Sequence, residues 1–137
     1  MTASVLINID VDDIDRAESF YGRAFGLTVG RRLGPEVVEL LGADAPLYLL
    51  AKPAGTAAAA GPGGTRRDYR RHWTPVHLDF LVEDLEPALQ RARDAGAELE
   101  GEIREHSWGR IAQIADPFGH GICLLQFQGR GYDEIAG

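Results

Sequence analysis

Two stretches of the chain carry the same pattern of apolar and polar positions: "VLINIDVDDIDRAESFYGRAFGLTV" (5–29) and "VHLDFLVEDLEPALQRARDAGAELE" (76–100). In the first, Val5, Ile7, Ile9 and Val11 alternate with Leu6, Asn8 and Asp10. In the second, Val76, Leu78, Phe80 and Val82 alternate with His77, Asp79 and Leu81. A period of two predicts a strand with one apolar face, packed under a helix. The period then becomes helical, with Ile14, Ala17, Phe20, Tyr21 and Ala24 on one stripe and Leu85, Ala88, Leu89, Ala92 and Ala95 on the other. Asp13 and Asp84 stand where a carboxylate can accept from first-turn amides, and Pro87 falls where a missing amide costs little. Gly26 and Gly96 suit the left-handed residue that ends a helix.

Three strand-like stretches follow each helix, near 27–33, 37–41 and 46–51 and again near 97–103, 109–115 and 121–127. "ADPFGHG" (115–121) reads as a tight hairpin, Asp-Pro opening the turn and Gly119 free to take positive φ. The predicted organisation is βαβββ–linker–βαβββ, an α+β fold in a single domain. Repeat one spans about 4–53, a flexible Ala-, Gly- and Pro-rich linker 54–74, repeat two about 75–128, and a tail anchored by Tyr132 covers 129–137.

Composition narrows the class. With 137 residues, 45% hydrophobic and 26% charged, the chain can bury a core of its own. A formal net charge of −7 argues against a nucleic-acid surface, and no apolar run is long enough to span a membrane. Cys123 is the single cysteine, so no intramolecular disulfide forms; with no basic leader at the N-terminus, a reducing cytoplasm is expected. Arg66, Arg67, Arg70 and Arg71 cluster in "TRRDYRRHW", read as a solvated loop or as a rim for an anionic ligand.

The tandem repeat, with "VDDIDRAESFY" opening one copy and "DPFGHGICLL" closing the other, resembles the vicinal-oxygen-chelate superfamily of glyoxalase I, bleomycin-resistance proteins and extradiol dioxygenases. The resemblance covers roughly 5–127. It implies two curved four-stranded half-sheets enclosing a cavity, and commonly a homodimer. It also implies, in metal-using members, a His or Gln from the first strand and a Glu from the last strand of each copy around one divalent cation. His77, seven residues before Asp84, stands at one such position; its counterpart before Asp13 is Leu6. Cys123 stands where the second copy's glutamate belongs, and "PLYLLAKP" offers no carboxylate in the first. His120, at a hairpin tip, is expected to point to solvent. Two donors, His77 and Cys123, fall short of the three that catalytic zinc takes from protein and do not suit hard cations, so no metal or other cofactor is expected.

Strand alternation places Asn8, Asp10, His77 and Asp79 on faces turned from the helices, where polar groups need partners. Asp79, two residues from His77, can tune or orient it. Trp108 and Arg110, read on the seventh strand, would add a stacking surface and a partner for Asp79 or a ligand carboxylate. Trp73 and Tyr69 would close over the mouth. Cys123 is read as inert core or as a nucleophile. The expected function is a metal-free protein that binds or sequesters a small planar or amphipathic metabolite through His77, Asp79, Asn8, Asp10, Trp108, Arg110 and Cys123. The alternative is a lyase, isomerase or dioxygenase of the same superfamily. In its metal-free form His77 is a general base oriented by Asp79, with Arg110 stabilising negative charge. A purely structural protein is the third reading.

Overall fold

The computed structural model describes residues 2–137. The chain divides into two compact units, one running to Arg70 and one starting at Arg71. The first unit comprises β1 (Ile7–Val11), α1 (Ile14–Phe25), β2 (Thr28–Arg32), β3 (Val37–Leu41) and β4 (Leu47–Ala51). The second comprises β5 (Leu78–Leu81), α2 (Leu85–Ala95), β6 (Glu98–His106), β7 (Gly109–Ala115) and β8 (Gly121–Phe127), then a single 3₁₀ turn, Gly131–Glu134. This is the βαβββ repeat of an α+β fold. The sheets have orders β1-β4-β3-β2 and β5-β8-β7-β6, and neither closes into a barrel. In each, the first strand lies parallel to the last and the other pairings are antiparallel.

Each unit has its own core, built from the predicted stripes. α1 packs on β3 and β4, burying Ala17, Phe20, Tyr21 and Ala24 with Val38, Leu40, Leu47 and Leu49. α2 packs on β7 and β8, burying Leu85, Ala88, Leu89 and Ala92 with Ala112, Ile114, Ile122 and Leu124. A fully buried Leu or Ile contributes roughly 2 kcal/mol, so these stripes dominate the stability of each unit.

The two helix starts differ. Asp13 caps α1, accepting from the Arg16 amide at 3.1 Å. Asp84 makes no such bond; the Leu85 amide donates instead to Gln126 Oε1 at 2.8 Å, because Gln126 reaches the helix start from β8. Gly26 and Gly96 end the helices at φ 68° and 124°. The hairpin forms as read: Asp116 Oδ1 accepts from the Phe118 and His120 amides, both at 2.8 Å, and Gly119 has φ 87°.

Several expectations change. Val5 and Val76 are exposed, and β5 begins at Leu78, so His77 precedes the strand. The cause is pairing length: β8, the neighbour of β5, pairs with it over Leu78–Leu81 only. The stretch 54–70 is a tied loop rather than a free linker. An Ala57–Arg66 bridge closes it, the Gly55 amide donates to the Arg67 carbonyl, and the Arg67 amide donates to the Thr56 carbonyl. The arginines are structural ties: Arg67 Nε donates to Asp10 Oδ2 at 2.7 Å, Arg66 to the Gly55 carbonyl, Arg70 to Asp68 and Arg71 to Glu100. His120 is half-buried, its ring 5.5 Å from that of His72.

Candidate functional site

The face of the second sheet turned from α2 carries the polar groups. Asp79 on β5 is the register partner of Cys123 on β8, which in turn pairs with Gln113 on β7. Partners across a ladder share a face, so these three side chains point the same way as His77, two residues before Asp79. His77 Nε2 lies 3.1 Å from Asp79 Oδ1, and the Cys123 thiol donates to Asp79. Ligand atoms of His77, Asp79 and Cys123 all lie within 4.8 Å of one another.

The corner mixes exposure. Cys123 is 2% exposed, whereas His77 and Asp79 are open to solvent on one side. Burial, reinforced by the Asp79 charge and hydrogen bond, pushes the Cys123 thiol up to about 12 against a smaller opposing pull from Arg104. Both the burial and the neighbouring carboxylate disfavour the thiolate, the form in which a cysteine acts as a nucleophile.

Trp73 walls the corner. Its ring lies 5.6 Å from that of His77, edge to face, and its Nε1 donates to Glu100 Oε1 at 3.1 Å. Arg71 binds the same carboxylate and stacks 4.8 Å over the indole. The indole sits directly on Gly121, where an added Cβ would come within 2.4 Å of it. The missing side chain at Gly121 is what lets the indole reach the sheet beside His77. The sequence reading noticed Trp73 but missed this seat; the signal was a glycine opening an otherwise apolar strand.

The remaining candidates lie elsewhere. Trp108 is in the turn between β6 and β7, before Gly109, whose partner is Phe127. That is four residues along β8 from Cys123, roughly 13 Å at strand rise. Its ring stacks on His106 at 5.1 Å and packs on Tyr132 at 5.2 Å, so it holds the C-terminal tail. Arg110 is on the helix side of β7 and pairs with Glu86 of α2 and with Glu105, not with Asp79. Its register partner is Gln126, the residue that caps α2, which fixes it on that face. Tyr69 donates to the Lys52 carbonyl at 2.6 Å, and burial raises its phenol.

The first unit has a different constellation. Asn8 is exposed on β1, and Asp10, two residues on, is held by Arg67. Asn8, Tyr48 and Glu39 are register partners across β1, β4 and β3, as Asp79, Cys123 and Gln113 are in the second unit. Glu39 is 6% exposed and had no place in the sequence reading, although a lone acid within "VVELL" was its signal. It accepts from Arg31 Nη2 and from the Tyr48 hydroxyl, both at 2.7 Å. Those two hydrogen bonds hold its carboxyl down at about 2.

A carboxyl lowered by folding contributes stability that is complete above its ordinary value near 4.5 and is lost as pH falls through about 2. Glu39→Gln is accordingly expected to lower the melting temperature at pH 7, and the gap from the parent protein to narrow steadily between pH 4.5 and pH 2. Thermal melts across that range check it; a gap independent of pH contradicts it.

The family profile of the glyoxalase-like domain matches residues 6–125. The chain belongs to the glyoxalase-like family. With it comes membership of the vicinal-oxygen-chelate superfamily. An uncharacterised Mycobacterium bovis protein, Mb0911c, is 30% identical over 130 residues, covering 85% of this chain and 78% of that protein. The anthracycline biosynthesis protein DnrV of Streptomyces peucetius is 28% identical over 133 residues, covering 96% of this chain but 43% of that protein. Among solved structures, TnmS3, an antibiotic binding protein from Streptomyces sp. CB03234, superposes with a TM-score of 0.63 at 23% identity, covering 93% of this chain and 98% of that one.

This glyoxalase-like chain does not offer the donor set that the family's hard divalent cation requires. Leu6, opposite number of His77, is aliphatic and 60% exposed. Tyr48 fills the place equivalent to Cys123, and the nearby Glu39 carboxylate is committed to Arg31 and Tyr48. Magnesium and manganese favour carboxylate, carbonyl and water oxygen, and a buried protonated thiol supplies none of these.

Proposed function

We propose that the chain binds a small, planar or amphipathic organic molecule, with the His77–Asp79–Cys123 corner and the adjoining Trp73 as its contact surface. Capture rather than turnover is the role, and the family's hard divalent cation takes no part. The observation that carries the reading is the corner itself: a half-exposed carboxylate held between an imidazole and a buried thiol, beside an indole seated on a glycine. Asp79 and His77 supply directional polar contacts and Trp73 supplies flat apolar area, the usual combination in sites for small organic ligands. Support for an aromatic ligand comes from relatives: DnrV is an anthracycline biosynthesis protein and TnmS3 an antibiotic binding protein. The proposal includes a cytoplasmic homodimer as the working form.

An enzymatic reading draws on one contact, the 3.1 Å approach of His77 Nε2 to Asp79, which is the geometry of an oriented base. It loses the expected anion-stabilising partner, because Arg110 is bound to Glu86 on the other side of the sheet. Incubation with excess doxorubicin, an anthracycline, separates the two. Binding at one molecule per chain with the drug recovered unchanged by chromatography is expected. A product that accumulates beyond the protein concentration and disappears in His77→Ala overturns capture in favour of catalysis.

A further inference from the structure

The two repeats share one design but differ where the helix meets the edge strand. In the first unit α1 packs on β3 and β4, and β2 is exposed along its whole length. Between α1 and β2, on the helix side of the sheet, lies a cleft of about 390 Å³. Its floor is apolar: Leu27 and Leu40 are buried and Val29 is 38% exposed. Its helical wall carries Ser19 and Gly22, two residues with little or no side chain.

The second repeat supplies an internal comparison. Glu18, Ser19 and Gly22 follow Asp13 at the spacing with which Leu89, Gln90 and Arg93 follow Asp84. Leu89 is buried on α2, so an apolar side chain occupies that place. Glu18, at the matching place on α1, is drawn across to the edge strand instead. Arg32 Nη1 and Nη2 donate to its two carboxylate oxygens at 2.9 and 2.8 Å. Gly22 lets the helix approach the turn into β2 closely, since an added Cβ would lie 3.3 Å from the Leu27 carbonyl oxygen.

The chain reverses at Gly26, so α1 and β2 run in opposite directions and the two ends of the cleft differ in charge. One end holds Asp15 beside the Glu18–Arg32 pair, near enough to favour the Arg32 cation, which leaves one negative charge in excess. The other end holds Arg23 near Leu27. Asp15 and Arg23 are eight residues apart on one helix, roughly 12 Å at the α-helical rise. Three residues of extended peptide span roughly 10 Å.

We propose that this cleft binds a short zwitterionic peptide of about three residues, its ammonium at Asp15, its carboxylate at Arg23 and an apolar central side chain on Leu27, Val29 and Leu40. The cleft volume is within the range of sites for small ligands. The site goes beyond the capture reading: it lies wholly in the first unit and uses none of His77, Asp79, Cys123 or Trp73.

Titration of the ¹⁵N-labelled full chain with alanyl-leucyl-alanine, followed by NMR, provides the test. Saturable shifts at one molecule per chain are expected in the amides of 18–23 and 27–32, with those of Asp79 and Cys123 unmoved. Acetylating the peptide amine or amidating its carboxylate is expected to weaken binding roughly 3- to 5-fold each, the size of an exposed ion pair. Arg23→Glu, which turns attraction into repulsion at an exposed position, is expected to weaken it roughly 10-fold. Ser19→Leu and Glu18→Leu, which set an apolar side chain in the cleft, are expected to abolish it, with thermal melts confirming that both variants fold. No saturable shift in the parent protein, or shifts confined to the second unit, overturns the proposal. So does equal affinity for the free and capped peptides, or binding that survives Ser19→Leu or Glu18→Leu. Doxorubicin binding to the same samples is a separate readout, so a failed peptide cleft and a failed capture reading give different results.

Discussion

Gly109→Ala is expected to destabilise the protein by roughly 2–4 kcal/mol, the size of an overpacked core substitution aggravated by backbone strain. Gly109 opens β7 with φ 155°, and a Cβ there would lie 2.1 Å from the Gln126 carbonyl oxygen and 3.0 Å from the Phe127 Cα. All of these are backbone atoms of the neighbouring strand, so no rotamer change relieves the clash; β7 and β8 must separate at this end. Gln126 would move as well, and its side chain caps α2 through the Leu85 amide. The Trp108–Phe127–Tyr132 cluster on which the tail rests would shift with it. Gly26→Ala is the control: its φ is 68° but nothing lies within 4 Å of the added Cβ, so roughly 1 kcal/mol is expected from the left-handed backbone alone. Urea unfolding of the two variants beside the parent checks this. A Gly109→Ala midpoint equal to that of Gly26→Ala contradicts it.

Asp79→Ala is expected to weaken ligand binding by roughly 10- to 100-fold while changing stability by less than about 1 kcal/mol. Asp79 is the one side chain in the corner that both neighbours contact, the imidazole at 3.1 Å and the thiol by hydrogen bond. Its removal takes the charge from the corner and also frees His77 from its orientation. Cys123 is left as a buried thiol without its acceptor, a modest loss because a thiol is a weak donor. Half-exposure of Asp79 keeps the stability effect small. Asp79→Asn, which keeps the shape and an acceptor oxygen but not the charge, is expected to lie between the two. Fluorescence titration with doxorubicin, alongside thermal melts, reads both quantities. Equal affinity in Asp79→Ala and the parent contradicts the assignment of this corner.

The parts of the fold that were legible in the sequence are those set by local periodicity. Alternation at 5–11 and 76–82, the two apolar stripes and the glycine stops are all properties of neighbours in sequence, and each appears in the structure within a residue or two. The site was legible by halves. His77 and Cys123 stood at positions the family resemblance marks, and alternation put Asp79 on the same face as His77. What joins Asp79 to Cys123 is the parallel register of β5 with β8, a long-range pairing that no local pattern encodes. The same ambiguity misplaced Arg110. Alternation along β7 separates Arg110 from Gln113, but only the pairings with Gln126 and Cys123 say which of the two faces the helix. Trp108 was read on the seventh strand, one residue inside its true start: the strand begins at Gly109, and Trp108 lies in the turn just before it. Glu39, Tyr48 and Arg31 escaped because they come from three different strands and meet only after the sheet forms.

The central claim is that the corner of the second repeat receives an organic ligand without the family's divalent cation. Doxorubicin fluorescence titrated against the purified protein in excess EDTA tests it most directly. Saturable quenching at one molecule per chain, unchanged when Mg²⁺ or Mn²⁺ replaces the chelator, is the predicted result. Binding that appears only once such a cation is restored would contradict the claim.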